Sequence, residues 1–212
     1  FTSGSTGQPK GVMIEHHSVP IMLKSASDLI GFHSGELMPV LGSLSFDASI
    51  IQILLPITNG GTLLIPPASI EKDPEKLHNY LEENQINHLI STPALIRQLP
   101  KKQLSKLKTL SFGGEAIDSE TASYWSAQTE LYSLYGPTET TVMCSGGKIL
   151  PGTNPRHIGQ PIAGYKVSIR NSRMQNVPLG AQGEIVIGGQ GAARGYIKQL
   201  DKTQERFIVD PQ

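Results

Sequence analysis

The chain has 212 residues, enough for one large domain or two smaller ones with a real core. Its 18 Lys+Arg balance 18 Asp+Glu, so charge gives no reason to expect nucleic acid or an anionic membrane as a partner. No apolar run approaches the length a membrane-crossing helix needs, since the longest, Ile50 to Ile57, is broken by Gln52 and Pro56; the single cysteine, Cys144, excludes an internal disulfide and fits a reducing cytoplasm.

In chain order, residues 16–30 place Val19, Met22, Leu23, Ala26, Leu29 and Ile30 near helical spacing. Leu41 to Phe46 reads as a strand, and Ser49 to Thr58 as a buried helix stopped by Asn59-Gly60-Gly61. Thr62 to Ile65 is a short strand ended by two prolines. Asp73-Pro74-Glu75 opens a helix running to about Asn84, with Asp73 as cap and Pro74 in the first turn. His88 to Ser91 is a strand, Pro93 to Leu99 a helix, Leu107 to Phe112 a strand, Ser119 to Gln128 a helix and Glu130 to Leu134 a strand. Strands alternating with helices predict an α/β fold with a parallel sheet and flanking helices. The texture changes near Leu150. Short alternating strands, Lys166 to Arg170 and Glu184 to Ile187, follow between turn clusters, and predict an antiparallel β-barrel portion. The expected division is therefore 1–150 and 151–212. Phe1 lies inside a glycine-rich motif with no strand before it, which leads us to expect an internal piece of a longer polypeptide.

That motif is Thr2-Ser3-Gly4-Ser5-Thr6-Gly7-Gln8-Pro9-Lys10-Gly11. Glycines let backbone N–H groups approach phosphate oxygens, hydroxyls add donors, and lysine adds a point charge. It is not a Walker loop, which needs Gly-Lys-Ser/Thr, because Pro9 precedes Lys10 and Gly11 follows it. By composition alone, a flexible linker with a solvated lysine is an equal reading.

Further motifs follow in order: Phe46-Asp47-Ala48-Ser49, Gly113-Gly114-Glu115-Ala116, Tyr135-Gly136-Pro137-Thr138-Glu139, the run from Gly183 through Arg194-Gly195-Tyr196, and Thr203-Gln204-Glu205-Arg206-Phe207. Together with the opening loop they resemble the adenylate-forming, AMP-binding superfamily, and in particular the adenylation domains of nonribosomal peptide synthetases. The resemblance implies ATP-dependent activation of an amino acid carboxylate to an aminoacyl-adenylate, with release of pyrophosphate. It then implies thioester transfer to the phosphopantetheine of a partner carrier-protein domain, beside neighbouring synthetase domains.

By the same resemblance, Thr2, Ser3, Gly4, Ser5, Thr6, Gly7 and Lys10 would hold the β- and γ-phosphates. Thr138 would touch the phosphates and Glu139 would bind Mg²⁺, a hard ion suited to one carboxylate plus phosphate oxygens. Lys10, Thr138 and Glu139 are thus the catalytic candidates. Gly113, Gly114, Glu115, Tyr135 and Gly136 would flank adenine, with Ser133 standing where the family usually has asparagine. Asp47 would pair with the substrate α-ammonium; without that context it reads equally well as a helix N-cap. Phe46, Ala48, Ile51, Ile90, Ser111, Gly113, Leu134, Val142 and Met143 would complete a substrate pocket suited to an uncharged, largely hydrophobic side chain. Acyl- or aryl-CoA synthetases, carrier-protein D-alanine ligases, or a non-enzymatic nucleotide-binding module are the rival readings. The family's ribose-binding aspartate and a later catalytic lysine are expected beyond Gln212, so residues 1–212 alone are expected to be inactive.

The histidines (His16, His17, His33, His78, His88, His157) show no metal-ligand spacing and read as surface or capping residues. The run from Gly189 to Gly195 misses the dinucleotide fingerprint by one residue, and Cys144 reads as a buried or incidental thiol.

Overall fold

A computed structural model describes Thr2 and residues 9–209. The first helix, α1 (Ser18–Ile30), buries Met22, Leu23, Ala26 and Ile30 along one stripe and ends at Gly31, whose φ of 64° suits a glycine. A parallel pair follows, β1 (Leu37–Pro39) and β2 (Thr62–Leu64), joined through α2 (Ala48–Thr58). A short helix, α3 (Ala68–Glu71), leads to α4 (Pro74–Glu83), whose cap Asp73 accepts from the N–H groups of Glu75 and Lys76 as the Asp-Pro signal predicts.

The main sheet is built from two further strand–helix units and a reversal. β3 (His88–Ser91), α5 (Pro93–Gln98), β4 (Thr109–Phe112), α6 (Ser119–Ser126) and β5 (Glu130–Tyr135) give three parallel strands, in register from His88 to Thr109 to Glu130. Thr92 caps α5, and Asp118 caps α6 by accepting from Thr121 N–H at 2.8 Å. β6 (Ser145–Ile149) then pairs antiparallel with β5, and β7 (Gln160–Pro161) antiparallel with β6. β8 (Tyr165–Arg170) and β9 (Glu184–Gly189) form an antiparallel hairpin, and α7 (Leu200–Arg206) follows.

Successive strand residues point to opposite faces, so the sheet feeds two cores. Leu89, Leu110 and Leu131 join Leu77, Leu81, Ile96 and Trp125 on one face. Ile90 and Tyr132 join Met22, Met38, Ile51, Leu55 and Met143 on the other.

Some expectations are corrected. Leu41 to Phe46 is not a strand: Gly42 takes φ +85°, Ser45 N–H bonds the Ser43 hydroxyl at 3.2 Å, and Phe46 N–H bonds Ser43 O at 3.1 Å, making a turn. The strand lies just earlier, at β1. Leu107 and Lys108 precede the strand they were expected to open, and α6 stops two residues before Gln128. The antiparallel portion after Leu150 is present as expected, in β7 at the edge of the main sheet and in the β8–β9 hairpin, although the described strands alone do not close a barrel.

The histidines are not all superficial. His78 and His88 are buried. His88 Nε2 lies 2.8 Å from Glu36 Oε2, and Nδ1 lies 2.7 Å from Thr109 Oγ1. An ionised Glu36 only accepts, so the neutral tautomer with its proton on Nε2 satisfies both contacts. Glu36 also receives His33 N–H at 2.6 Å and the Lys108 ammonium. Burial alone would raise the Glu36 pKa, but these donors outweigh it and hold the carboxyl at about 2. Burial pushes His88 below its ordinary range, against the opposing pull of Glu36.

Candidate functional site

A cavity of about 450 Å³ opens beyond the carboxyl ends of β3, β4 and β5, where open α/β sheets offer a crevice. Phe46, Asp47, Ala48 and Ile51 line it from the start of α2, Ile90 from β3, Gly113 from the end of β4 and Leu134 from β5. Val142 and Met143 line it from the turn between β5 and β6. Of the residues expected on the substrate side, Ser111 alone is absent from this wall. It is fully buried, pairs with Ile90 and Tyr132 in the sheet, and leaves its hydroxyl without a hydrogen-bond partner. Phe46 stands at the rim, 71% exposed.

Asp47 occupies the N-cap position of α2, yet its side chain makes no capping hydrogen bond. Its Oδ2 accepts instead from the Thr138 hydroxyl. Gln52, one turn into the same helix, holds the wall in place: its Nε2 donates to Ile90 O at 2.8 Å, and its Oε1 accepts from Leu41 N–H at 3.2 Å. In the sequence Gln52 reads only as an interruption of an apolar run. A polar residue amid Ile50, Ile51, Ile53 and Leu54 is itself the signal that could have marked it.

The turn after β5 carries the nucleotide-side candidates. Tyr135 ends β5 half-buried, and burial pushes its phenol up. Gly136 follows where a Cβ would meet Met143 Cα at 2.5 Å and Cys144 N at 2.8 Å, so only glycine fits. Thr138–Thr140 form a single 3-10 turn. Thr141 and Val142 then take positive φ, 55° and 69°, a strained conformation for β-branched residues, and Val142 does so in the cavity wall. The turn is pinned from the hairpin side. Tyr165 OH donates to Thr140 O at 2.9 Å, the Thr141 hydroxyl donates to Gly191 O at 2.8 Å, and Ala193 N–H donates to Glu139 O at 2.8 Å. Gly114 and Glu115 border the cavity, and Glu115 Oε1 accepts from Ala94 N–H at 3.2 Å at the start of α5. Ser133 is buried inside β5.

Lys10 and Glu139, far apart in the sequence, are linked through Tyr196. Tyr196 OH donates to Glu139 Oε1 at 2.6 Å and accepts from Lys10 Nζ at 3.3 Å, while the ammonium also sits 4.4 Å from the Tyr196 ring centre. Burial, and next the bond to Glu139, push the Tyr196 phenol up to about 12, so the hydroxyl keeps its proton. Thr2 and Lys10 exchange two backbone hydrogen bonds, at 2.9 and 2.8 Å, which close the base of the glycine-rich loop. Ser3, Gly4, Ser5, Thr6, Gly7 and Gln8 lie outside the described residues.

This donor set fits a magnesium–triphosphate. It offers an ammonium for phosphate oxygens and a carboxylate for the cation. Among the described residues no cluster of three or more His, Cys, Asp or Glu could hold a metal unaided. A cation here would complete its shell with phosphate oxygens and water, as Mg²⁺ does.

Known proteins share this architecture. The family described as AMP-binding enzyme matches residues 1–197. Phosphinothricin tripeptide synthetase PhsC of Streptomyces viridochromogenes is 35% identical over 211 residues, covering all of this chain and 19% of that protein. A linear gramicidin synthase of Brevibacillus parabrevis is 40% identical over 215 residues, covering all of this chain and 3% of that protein. The chain thus spans a small part of the curated relatives it matches. Among solved structures, a holo four-domain nonribosomal peptide synthetase bound to AMP and glycine superposes with a TM-score of 0.87 at 32% identity, over 96% of this chain and 16% of the other. The N-terminal subdomain of Klebsiella oxytoca NpsA, in complex with 3-hydroxybenzoyl-AMSN, gives 0.84 at 25% identity, over all of this chain and 56% of the other.

Proposed function

The chain belongs to the AMP-binding enzyme family, and from that premise we propose that it forms part of an adenylation domain that activates an amino acid for nonribosomal peptide synthesis. The observation that carries this reading is Asp47. Its carboxylate stands in a mainly apolar cavity and is bonded to Thr138, next to Glu139. An ammonium group would neutralise Asp47, while the apolar wall would take an uncharged, hydrophobic side chain.

In the proposed reaction a carboxylate oxygen of the amino acid attacks the α-phosphorus of ATP. The bond from that phosphorus to the bridging oxygen breaks, and pyrophosphate leaves with the electron pair. Bound Mg²⁺ would neutralise charge gathering on the leaving phosphates. The work of this chain's residues is positioning and charge complementarity. Asp47 would hold the α-ammonium and the cavity the side chain. Tyr135, Gly113 and Gly114 would border adenine. Lys10 and Thr138 would hold phosphate oxygens, and Glu139 the cation. The adenylate would pass to the phosphopantetheine thiol of a carrier domain elsewhere in the polypeptide, as expected from the synthetase relatives. The division into 1–150 for substrates and 151–212 for the antiparallel portion is part of the same reading.

ATP–pyrophosphate exchange across an amino-acid panel tests it, using the whole polypeptide that carries this chain. Exchange with one or a few uncharged, hydrophobic amino acids is expected. Exchange driven only by aryl or fatty acids lacking an amino group would overturn it in favour of an acyl- or aryl-activating enzyme.

A further inference from the structure

We propose that Tyr196 is a positioning residue that holds Lys10 and Glu139 apart as a preassembled anion-and-cation clamp, and so sets the affinity for magnesium–ATP. The proposal rests on the ATP-dependent reading above.

Lys10 and Glu139 carry opposite charges, and each is useful only while it faces a partner of the opposite sign. Left to themselves, a lysine and a glutamate in one pocket collapse into a direct ion pair and quench each other. Tyr196 stands between them. One hydroxyl donates to the carboxylate at 2.6 Å and accepts from the ammonium at 3.3 Å, so both charges are satisfied without meeting. A neutral donor–acceptor is also released at less cost than a full ion pair when phosphate and cation arrive.

The placement of this hydroxyl is over-determined. Tyr196 is buried, and its backbone bridges antiparallel to Val12, two residues after Lys10. Met13 N–H bonds Gly195 O at 2.9 Å and Ile197 N–H bonds Gly11 O at 2.8 Å, on either side of the tyrosine. Its own N–H donates to the Thr203 hydroxyl at 2.9 Å, and its ring meets Phe207 edge-on at 5.4 Å. Gly195, at φ +134°, leaves no room for a side chain, because a Cβ would meet Thr203 Cγ2 at 2.3 Å. Three separated segments therefore fix one phenol oxygen between two charges. Packing alone accounts for the ring but not for the two bonds of the hydroxyl.

The test uses Tyr196→Phe in the whole polypeptide, with ATP binding measured by calorimetry over a Mg²⁺ series and no amino acid present. We expect magnesium–ATP affinity to fall roughly tenfold or more, because Lys10 and Glu139 are then free to pair directly and that pair must be broken on binding, with half-saturation moving to higher Mg²⁺. The amino-acid KM and the melting temperature should stay near wild type, because the ring remains. In a Glu139→Gln background the same change should have much less effect. Unchanged or tighter ATP binding by Tyr196→Phe would overturn the proposal. Phe207→Leu removes the ring contact and spares the hydroxyl; it should lower the melting temperature and leave the Mg²⁺ dependence alone. An equal Mg²⁺ shift in Phe207→Leu would also overturn the proposal. A wild-type protein that binds no ATP would overturn the functional reading itself, whereas normal wild-type binding with a silent Tyr196→Phe overturns only the role of the hydroxyl.

Discussion

Thr138 donates its hydroxyl hydrogen to Asp47 Oδ2, tying the turn that carries Glu139 to the first turn of α2. The Asp47 side chain does not cap that helix, so its removal costs the fold only the Thr138 bond and should act mainly on substrate binding. Asp47→Ala is expected to raise the KM for the amino acid by at least about thirtyfold, the cost of stripping one partner from a charge pair. The melting temperature should fall by only a few degrees, the loss of that one bond. Pyrophosphate exchange and a thermal melt on the same sample check both halves, and normal exchange would defeat the assignment of Asp47.

Gln52 makes two hydrogen bonds from a buried position, to Leu41 N–H and Ile90 O. Gln52→Leu leaves both backbone groups unpaired in an apolar setting and should cost about 3 kcal/mol. Urea unfolding measures the loss. A value below about 0.5 kcal/mol would mean that water or a neighbour restores those bonds.

Stability should fall on the acid side in two stages. Both His88 and Glu36 titrate lower in the fold than in the unfolded chain. Each therefore stabilises the fold fully above its unfolded value, and less as pH falls through the interval towards its folded value. The His88 contribution should begin to fade below about pH 6.5. That of Glu36 fades between 4.5 and about 2. His88→Gln keeps a donor for Glu36 and an acceptor for Thr109 but does not titrate. It should flatten the upper limb of urea midpoint against pH and keep the lower one. An upper limb as steep as in wild type would show that another group is responsible.

Gly136→Ala should be strongly destabilising, because the new methyl would lie 2.5 Å from Met143 Cα and neither side is a flexible side-chain end. A melting temperature close to wild type would contradict that packing. Val142→Gly acts oppositely on the backbone. It relieves a β-branched residue at φ 69° and widens the cavity. Exchange assays with bulkier amino acids should show improved relative kcat/KM, and no change in preference would remove Val142 from the wall.

Much of this fold is written locally and could be read locally. Asp73-Pro74 announces α4, and His88 to Ser91 and Glu130 to Leu134 are strands because their apolar residues feed both cores. The glycine-rich and Tyr-Gly-Pro-Thr-Glu segments were legible as motifs because their spacing is short. What escaped depends on distant partners. β6 begins Ser145-Gly146-Gly147, which carries no apolar strand pattern to read; glycines stand in this strand because a Cβ on Gly146 would meet Leu29 at 2.6 Å and one on Gly147 would meet Gly159 at 2.9 Å. Glu36 and His88 look like ordinary surface residues until the fold places them 2.8 Å apart. Tyr196 sits in a recognisable block, but its contacts with Lys10 and Glu139 span most of the chain. Leu41 to Phe46 carries the apolar pattern of a strand but turns, because Gly42 at φ 85° outweighs the apolar residues around it.

The reversal between β5 and β6 has a consequence for redesign. Tyr135 and Ser145 are directly paired across the ladder, so the excursion from 136 to 144 leaves and re-enters the sheet at one rung. Its end-to-end span is set by that rung and not by its contents. The segment is therefore a cassette: a graft that keeps Gly136, Thr138, Glu139 and the anchoring hydroxyl of Thr141 exchanges Val142 and Met143 without shifting strand register. The residues that would choose the side chain and those that would handle the phosphates share one loop. They can still be altered separately, because the former line the cavity and the latter answer to Asp47 and Tyr196.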